Sequence, residues 1–196
     1  MQLILIILIL LRISNSVSVV APGPRDLPYP TKALEYRGVL GGHDVQLNGT
    51  VEDMIAQMQS LHPSTSIDSL FAERTSSNTF HTRQIQIGLN CCPVGSQGWR
   101  ATTQFDIING IKHLQSIPIL GIDGKSCSRI SCSYSSSIWL CNDNDIRVNR
   151  LGSEYALYAT ALIERCGSRD PNGDLVVCGQ VFDILGYNII VREDSC

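Results

Sequence analysis

Residues 129–141 read RISCSYSSSIWLC, and this stretch decides the fold. Two alternating runs, 129–134 and 137–141, meet at Tyr134-Ser135-Ser136. Alternation on both sides of a small polar turn is the pattern of a β-hairpin. It places Ile138 and Leu140 on one face and Trp139 on the other. Trp139 is expected to be core as well, with Ile130 and Tyr134 extending its apolar patch across the hairpin. Beyond the hairpin, Asp143, Asn144 and Asp145 read as an Asx-type turn; the glycine and distal glutamate of a calcium loop are missing. Ser153 is the expected cap of a helix with Ala156, Ala159, Thr160, Ile163 and Cys166 on its inner face. Residues 175–182 and 187–192 read as two closing strands. On the N-terminal side, 118–124 reads as a loop. Thr103 and Asp106 cap a helix over 104–115, with Ile107, Ile108, Ile111 and Leu114 as its stripe. Residues 85–89 alternate cleanly as a first strand. The order is β-α-β-β-α-β-β, which predicts an α+β two-layer sandwich: a mainly antiparallel five-stranded sheet with two helices.

The chain around this core has 196 residues with a formal net charge of −3, and only 17% of them are charged. From Gln84 onward nine basic residues face eleven acidic ones. That balance argues against a nucleic-acid surface, whose affinity comes from neutralising phosphates. Arg129, Arg147 and Arg150 are too few for a basic stripe, and they are kept as candidate target-binding residues. No GxSxG, HExxH, P-loop or GxGxxG pattern occurs, so no catalytic residue or cofactor is assigned. His113 is the one histidine after residue 83 and reads as a surface residue. Glu154 and Glu164 suit the solvated face of their helix.

Three tracts divide the molecule. The apolar run LILIILILL over 3–11, followed by Ser14, Ser16 and Ser18, reads as a signal peptide over 1–18, although its start carries no Lys or Arg. It is too short to span a bilayer, so a secreted, extracellular protein is expected. Residues 19–83 read as a leader or pro-segment. They contain four early prolines, a short strand at 45–47, the glycosylation sequon at Asn48 and a helix over 51–61 capped by Thr50 and Asp53. A Ser/Thr-rich linker then ends at Arg83, where a monobasic cut and a plain solvated arginine are equally good readings. Residues 84–196 form the third tract, and all eight cysteines lie in it.

Cys91, Cys92, Cys127, Cys132, Cys141, Cys166, Cys178 and Cys196 lack paired CxxC spacing, so a metal site is not expected. An even count in a secreted chain predicts four disulfides, in one of about 105 connectivities.

Several short stretches resemble the small killer-toxin-like secreted proteins of fungi: Gly88-Leu89-Asn90-Cys91, Ser131-Cys132, the 162–167 run LIERCG, and Tyr187-Asn188-Ile189-Ile190-Val191 ahead of Cys196. The resemblance covers about 84–196 and implies a sandwich of five strands and two helices. It also implies that Cys132 pairs with Cys196 and Cys91 with Cys166; Cys127 and Cys141 flank the same hairpin and are expected to pair, and the remainder leaves Cys92 with Cys178, the adjacent Cys91 and Cys92 being able to exchange roles. In such proteins a basic residue near the cysteine matching Cys132 contributes to toxicity; here Ile130 stands two positions before it and Arg129 is the nearest base. The function this implies is a secreted toxin-like or effector protein that binds a protein or membrane component of a host or competitor cell. Two alternatives are a small ribonuclease-like hydrolase, using His113 and a carboxylate not identified in the sequence, and a wall-associated structural protein. Oligomeric state is left open.

Overall fold

A computed structural model describes residues 27–66 and 86–196. The expected signal peptide, the linker beyond Ser66 and Arg83 lie outside these residues. The described chain runs β1 (Glu35–Leu40), β2 (His43–Asn48), α1 (Val51–Leu61), β3 (Gln86–Cys91), β4 (Thr102–Thr103), α2 (Gln104–Ser116), β5 (Leu120–Ile122) and β6 (Ser126–Ser133). It continues through β7 (Ser136–Asn142), β8 (Val148–Arg150), α3 (Gly152–Cys166), β9 (Ser168–Arg169), β10 (Leu175–Val177), β11 (Gly179–Asp183) and β12 (Tyr187–Glu193). The fold is α+β and disulfide-rich.

Its centre is a five-stranded antiparallel sheet, β3-β11-β12-β7-β6, built from the five strands expected of the 84–196 tract. The β6–β7 hairpin pairs Cys127 with Cys141 and Ser133 with Ser136 across a register shift between Arg129 and Ser131. Two smaller sheets flank it, in the orders β2-β1-β5-β8 and β4-β10-β9. Apart from β1 and β2, their strands are two or three residues long, too short to show a period. The stretch expected as a loop, 118–124, therefore contains β5, and 175–182 is two strands broken at Cys178. β10 pairs with β4 and β9, whereas β11 joins the central sheet.

The helices cover one face of the central sheet. In α1 the Thr50 hydroxyl accepts from the Asp53 amide and the Asp53 carboxylate accepts from the Thr50 amide, a complete capping box. In α2 Thr103 caps as expected. In α3 the cap position is Leu151, with no side-chain bond, so Ser153 does not cap it. Its inner face is also turned from the expected one. Tyr155, Ala156, Tyr158, Ala159 and Leu162 are buried, while Thr160, Ile163 and Cys166 are only partly covered. The two tyrosines decide this turn, because they bury the largest surface and pack edge-on against Tyr187 of β12.

The tract read as a leader is part of this core. Leu34, Leu47, Val51, Met54 and Met58 are fully or almost fully buried in one cluster with Ile107, Leu114, Ile138 and Leu140. The opposite face of the sheet is covered as well. Trp139 is 4% exposed there with Cys127, Cys141 and Ile190, packed by Leu27, Tyr29 and Trp99. Trp139 is thus core, but on grounds other than those expected: Ile130 belongs to the helical side, and Tyr134 is 83% exposed.

Candidate functional site

All eight cysteines are bridged: Cys91–Cys166, Cys92–Cys178, Cys127–Cys141 and Cys132–Cys196. The first two tie β3 and its following turn to the end of α3 and to the break between β10 and β11. The third crosses directly opposed residues of the β6–β7 hairpin. The fourth fastens the chain end to β6. Each therefore joins elements distant in sequence or clamps a strand pair, and restricting the unfolded chain in this way typically contributes about 2–4 kcal/mol per bridge. A frame of this kind suits an oxidising, extracellular-type compartment. Among the described residues, no helix is long and apolar enough to cross a membrane.

Residues 30–32 lie along the outer edge of β6. The Cys127 amide donates to the Pro30 carbonyl (3.0 Å), the Lys32 amide donates to the Cys127 carbonyl (2.9 Å), and the Ser128 hydroxyl donates to the Lys32 carbonyl (2.9 Å). Two neighbouring clefts share Lys32 and Ala33. The larger, about 560 Å³, is lined by Lys32, Asp53, Arg129, Trp139, Asp194 and Ser195 among others. The smaller, about 290 Å³, includes Gly121, Asp123, Ser128 and Arg147. Of the three candidate arginines, Arg129 lines the first cleft and Arg147 the second; Arg150 lines neither.

All three are engaged. Arg129 donates to the Ser195 carbonyl at 2.6 Å and lies over the Trp139 ring. Arg147 donates to Asp123 at 2.7 Å and to the Gly121 carbonyl at 3.2 Å. Arg150, at the end of β8, sits 3.8 Å from Glu154 in the first turn of α3. Asp123 also accepts from Lys32 at 2.9 Å. The hydrogen bonds from Lys32 and then Arg147 hold its carboxyl below the usual carboxylate range. The clefts carry both signs of charge in close pairs, an arrangement that fits recognition of a mixed polar surface better than capture of a polyanion.

Sequence reasoning missed one constellation. Glu52 on α1 is brought to His113 of α2, with Oε1 3.3 Å from His113 Nδ1. The same oxygen accepts from the Ser131 hydroxyl at 2.6 Å, and Oε2 accepts from the Cys132 amide at 3.0 Å. Burial works to raise the pKa of this carboxyl; the bonds from His113, Ser131 and Cys132 outweigh it and hold the value low. His113 is therefore a paired residue at a seam rather than a surface one. A carboxylate, an imidazole and a serine within one network resemble the parts of a hydrolase. The order of the bonds is wrong for that chemistry, because Ser131 is 3% exposed and gives its proton to the carboxylate, not to the imidazole. The group works as a staple joining α1 to α2 and β6. No signal in the sequence links Glu52 to residues 61 and 79 positions away.

The remaining residues have structural employment. The Asp143 carboxylate accepts from Asn188, and the Asn144 side chain donates to the carbonyls of Leu185 and Gly186, so this turn fastens the β11–β12 connection. Tyr158 donates to the buried carboxylate of Asp183, and burial pushes the phenols of Tyr155, Tyr158 and Tyr187 well above the ordinary tyrosine range. Glu164 is exposed on α3. Asn48 is exposed at the end of β2, its backbone held on both sides by the Gln57 amide. Among the described residues, no group of three or more His, Cys, Asp and Glu side chains is placed to hold a metal ion.

No protein-family model, curated protein or solved structure matches the chain.

Proposed function

We propose that the chain is a secreted, toxin-like or effector protein of the fungal type that acts by binding a protein or membrane component of another cell. The observation that carries this reading is the disulfide frame. It contains the two pairs that the resemblance to killer-toxin-like proteins implies, Cys91–Cys166 and Cys132–Cys196, the second of which ties the chain end to the central hairpin. A binding role also accords with the Glu52–His113–Ser131 group being used up as a staple. The test uses the full-length protein, purified with its bridges intact, applied to intact fungal and plant cells in growth-inhibition, necrosis and surface-binding assays. Nuclease and glycosidase assays run beside them. Saturable cell binding with inhibition or necrosis is expected. Turnover of RNA or glycan without any cell association would overturn the reading in favour of a hydrolase.

A further inference from the structure

Residues 48–50, Asn-Gly-Thr, are the chain's one Asn-x-Ser/Thr sequence, and the structure separates what each of them does for the fold. Gly49 has φ 94°, and a Cβ there would lie 2.6 Å from an Asp53 carboxylate oxygen, so the turn from β2 into α1 requires glycine. Its amide donates to the Leu34 carbonyl at 3.0 Å. Thr50 is the N-cap of α1 and is 7% exposed. Its hydroxyl donates to Asp53 Oδ2 at 3.0 Å and accepts from the Asp53 amide at 3.3 Å. Turn and cap thus account for Gly49 and Thr50 in full.

Asn48 has no such employment. It is the last residue of β2, the edge strand of the four-stranded sheet, and it lies opposite Glu35 of β1. Gln57 holds it through its backbone alone. Its side chain is exposed, and among the described residues the carboxamide makes no hydrogen bond. Asparagine is depleted in strands, so neither propensity nor packing accounts for it here. The fold presents this carboxamide to solvent at a sheet edge, with a backbone position fixed by the bonds to Gln57.

Resting on the secretory passage in the function above, we propose that Asn48 carries an N-linked glycan and that it is attached before α1 folds. The donor is a saccharide held on a lipid pyrophosphate. Asn48 Nδ2 forms a bond to the anomeric carbon and gives up one proton, and the bond from that carbon to the pyrophosphate oxygen breaks. The order follows from Thr50. Recognition of Asn-x-Ser/Thr reads the hydroxyl two residues after the asparagine. In the folded protein that hydroxyl is buried and bonded to Asp53 both as donor and as acceptor, whereas the unfolded chain offers it freely. Once the cap has closed, the glycan remains outside, at the rim of the larger cleft, which Gly49 and Thr50 line.

The test expresses the full chain in a eukaryotic secretory host, once with its own N-terminus and once with residues 1–18 replaced by a host signal. The secreted protein should be heavier than its sequence, and a peptide-N-glycosidase should remove the excess and leave an aspartate at position 48 on peptide mapping. Asn48→Gln should lack the excess and keep the wild-type Tm within about 2 °C, since that side chain supports nothing. For the order of events, unglycosylated chain from a bacterial periplasm is offered to solubilised oligosaccharyltransferase with lipid-linked oligosaccharide. Reduced and alkylated chain should accept the saccharide at least about tenfold faster than the folded, bridged protein, which must first open locally. Protein secreted at its sequence mass, or an excess that persists in Asn48→Gln, would overturn the site. Equal rates for folded and alkylated chain would overturn the order. Secretion only behind the host signal would instead overturn the secretory reading, and this proposal for the natural protein with it.

Discussion

Glu52 shows how a single side chain settles an architectural question. A carboxylate with 20% of its side chain exposed is costly to desolvate, and burial alone would favour the protonated form. Three donors reverse that preference, so the folded state prefers the anion more strongly than the unfolded chain does. A lowered folded-state pKa means stability that is fully present above the unfolded value of 4.5 and is lost as pH falls from there through the lower folded value. Glu52→Gln keeps the shape but gives up the charge-assisted bonds, and at neutral pH it should cost roughly 1.5–3 kcal/mol. Denaturant midpoints of the two proteins, measured from pH 7 downward, should converge below pH 4.5. A constant offset across that range would show that the staple does not act through its charge.

At the level of elements, two glycines set how closely the helical layer sits. A Cβ at Gly110 would lie 2.3 Å from the Ser131 hydroxyl, so α2 rests directly on β6. A Cβ at Gly152 would lie 2.2 Å from the Leu114 carbonyl and 2.7 Å from that of Ile117, both backbone atoms at the C-terminal end of α2. Side chains can swing away from an intruding methyl, whereas these carbonyls move only with their helix. Gly152→Ala gains about 1 kcal/mol in helix propensity. Separating packed helices costs about 1–3 kcal/mol or more. The clash should win, giving a net loss of up to about 2 kcal/mol by equilibrium unfolding. A stabilised variant would mean that α3 starts later than Gly152. The same contact explains why α3 begins without a capping side chain: its first turn is fixed by what it packs against rather than by local bonds.

On the scale of the whole molecule, covalent and packing connections divide differently. All four bridges lie between Cys91 and Cys196, and none reaches residues 27–66. Those residues nevertheless supply two strands, a helix and much of the main core, and they border β6 with backbone hydrogen bonds. Burying five side chains such as Leu34, Leu47, Val51, Met54 and Met58 contributes about 1.5–3 kcal/mol each before the entropy of ordering is set against it. A protease site inserted between Ser66 and Gln86 and then cut should leave both pieces together in size-exclusion chromatography. The pieces should part on a non-reducing denaturing gel. Loss of the N-terminal piece under native conditions would show that packing alone does not hold residues 27–66 to the rest.

The pattern of success and failure in reading the sequence follows from the range of the forces involved. The central sheet was legible because each of its strands alternates or forms an apolar run between turn formers, as at 129–141 and 187–192. Both capped helices were legible because Thr50 with Asp53 and Thr103 with Asp106 bond within one turn of chain. Cys127–Cys141 was legible because both flank one hairpin, whereas Cys132–Cys196 and Cys91–Cys166 were legible only through resemblance, since spacing alone leaves connectivity open. What the tertiary structure decided is whatever depends on contacts between distant segments. β5 and β8 are three residues long and exist because they pair with each other, with β5 also meeting the start of β1 at Glu35 and Gly121. The inner face of α3 turns toward Tyr155 and Tyr158 because Tyr187 of a strand 29 residues further on lies there. Trp139 is covered by Leu27 and Tyr29, more than 100 residues earlier. Glu52 finds His113 and Ser131 only when α1 is laid on α2 and β6. Local periodicity and capping chemistry are written in neighbouring residues and can be read there. The closing of the second face and the seam at Glu52 arise from surfaces that exist only once the chain has folded.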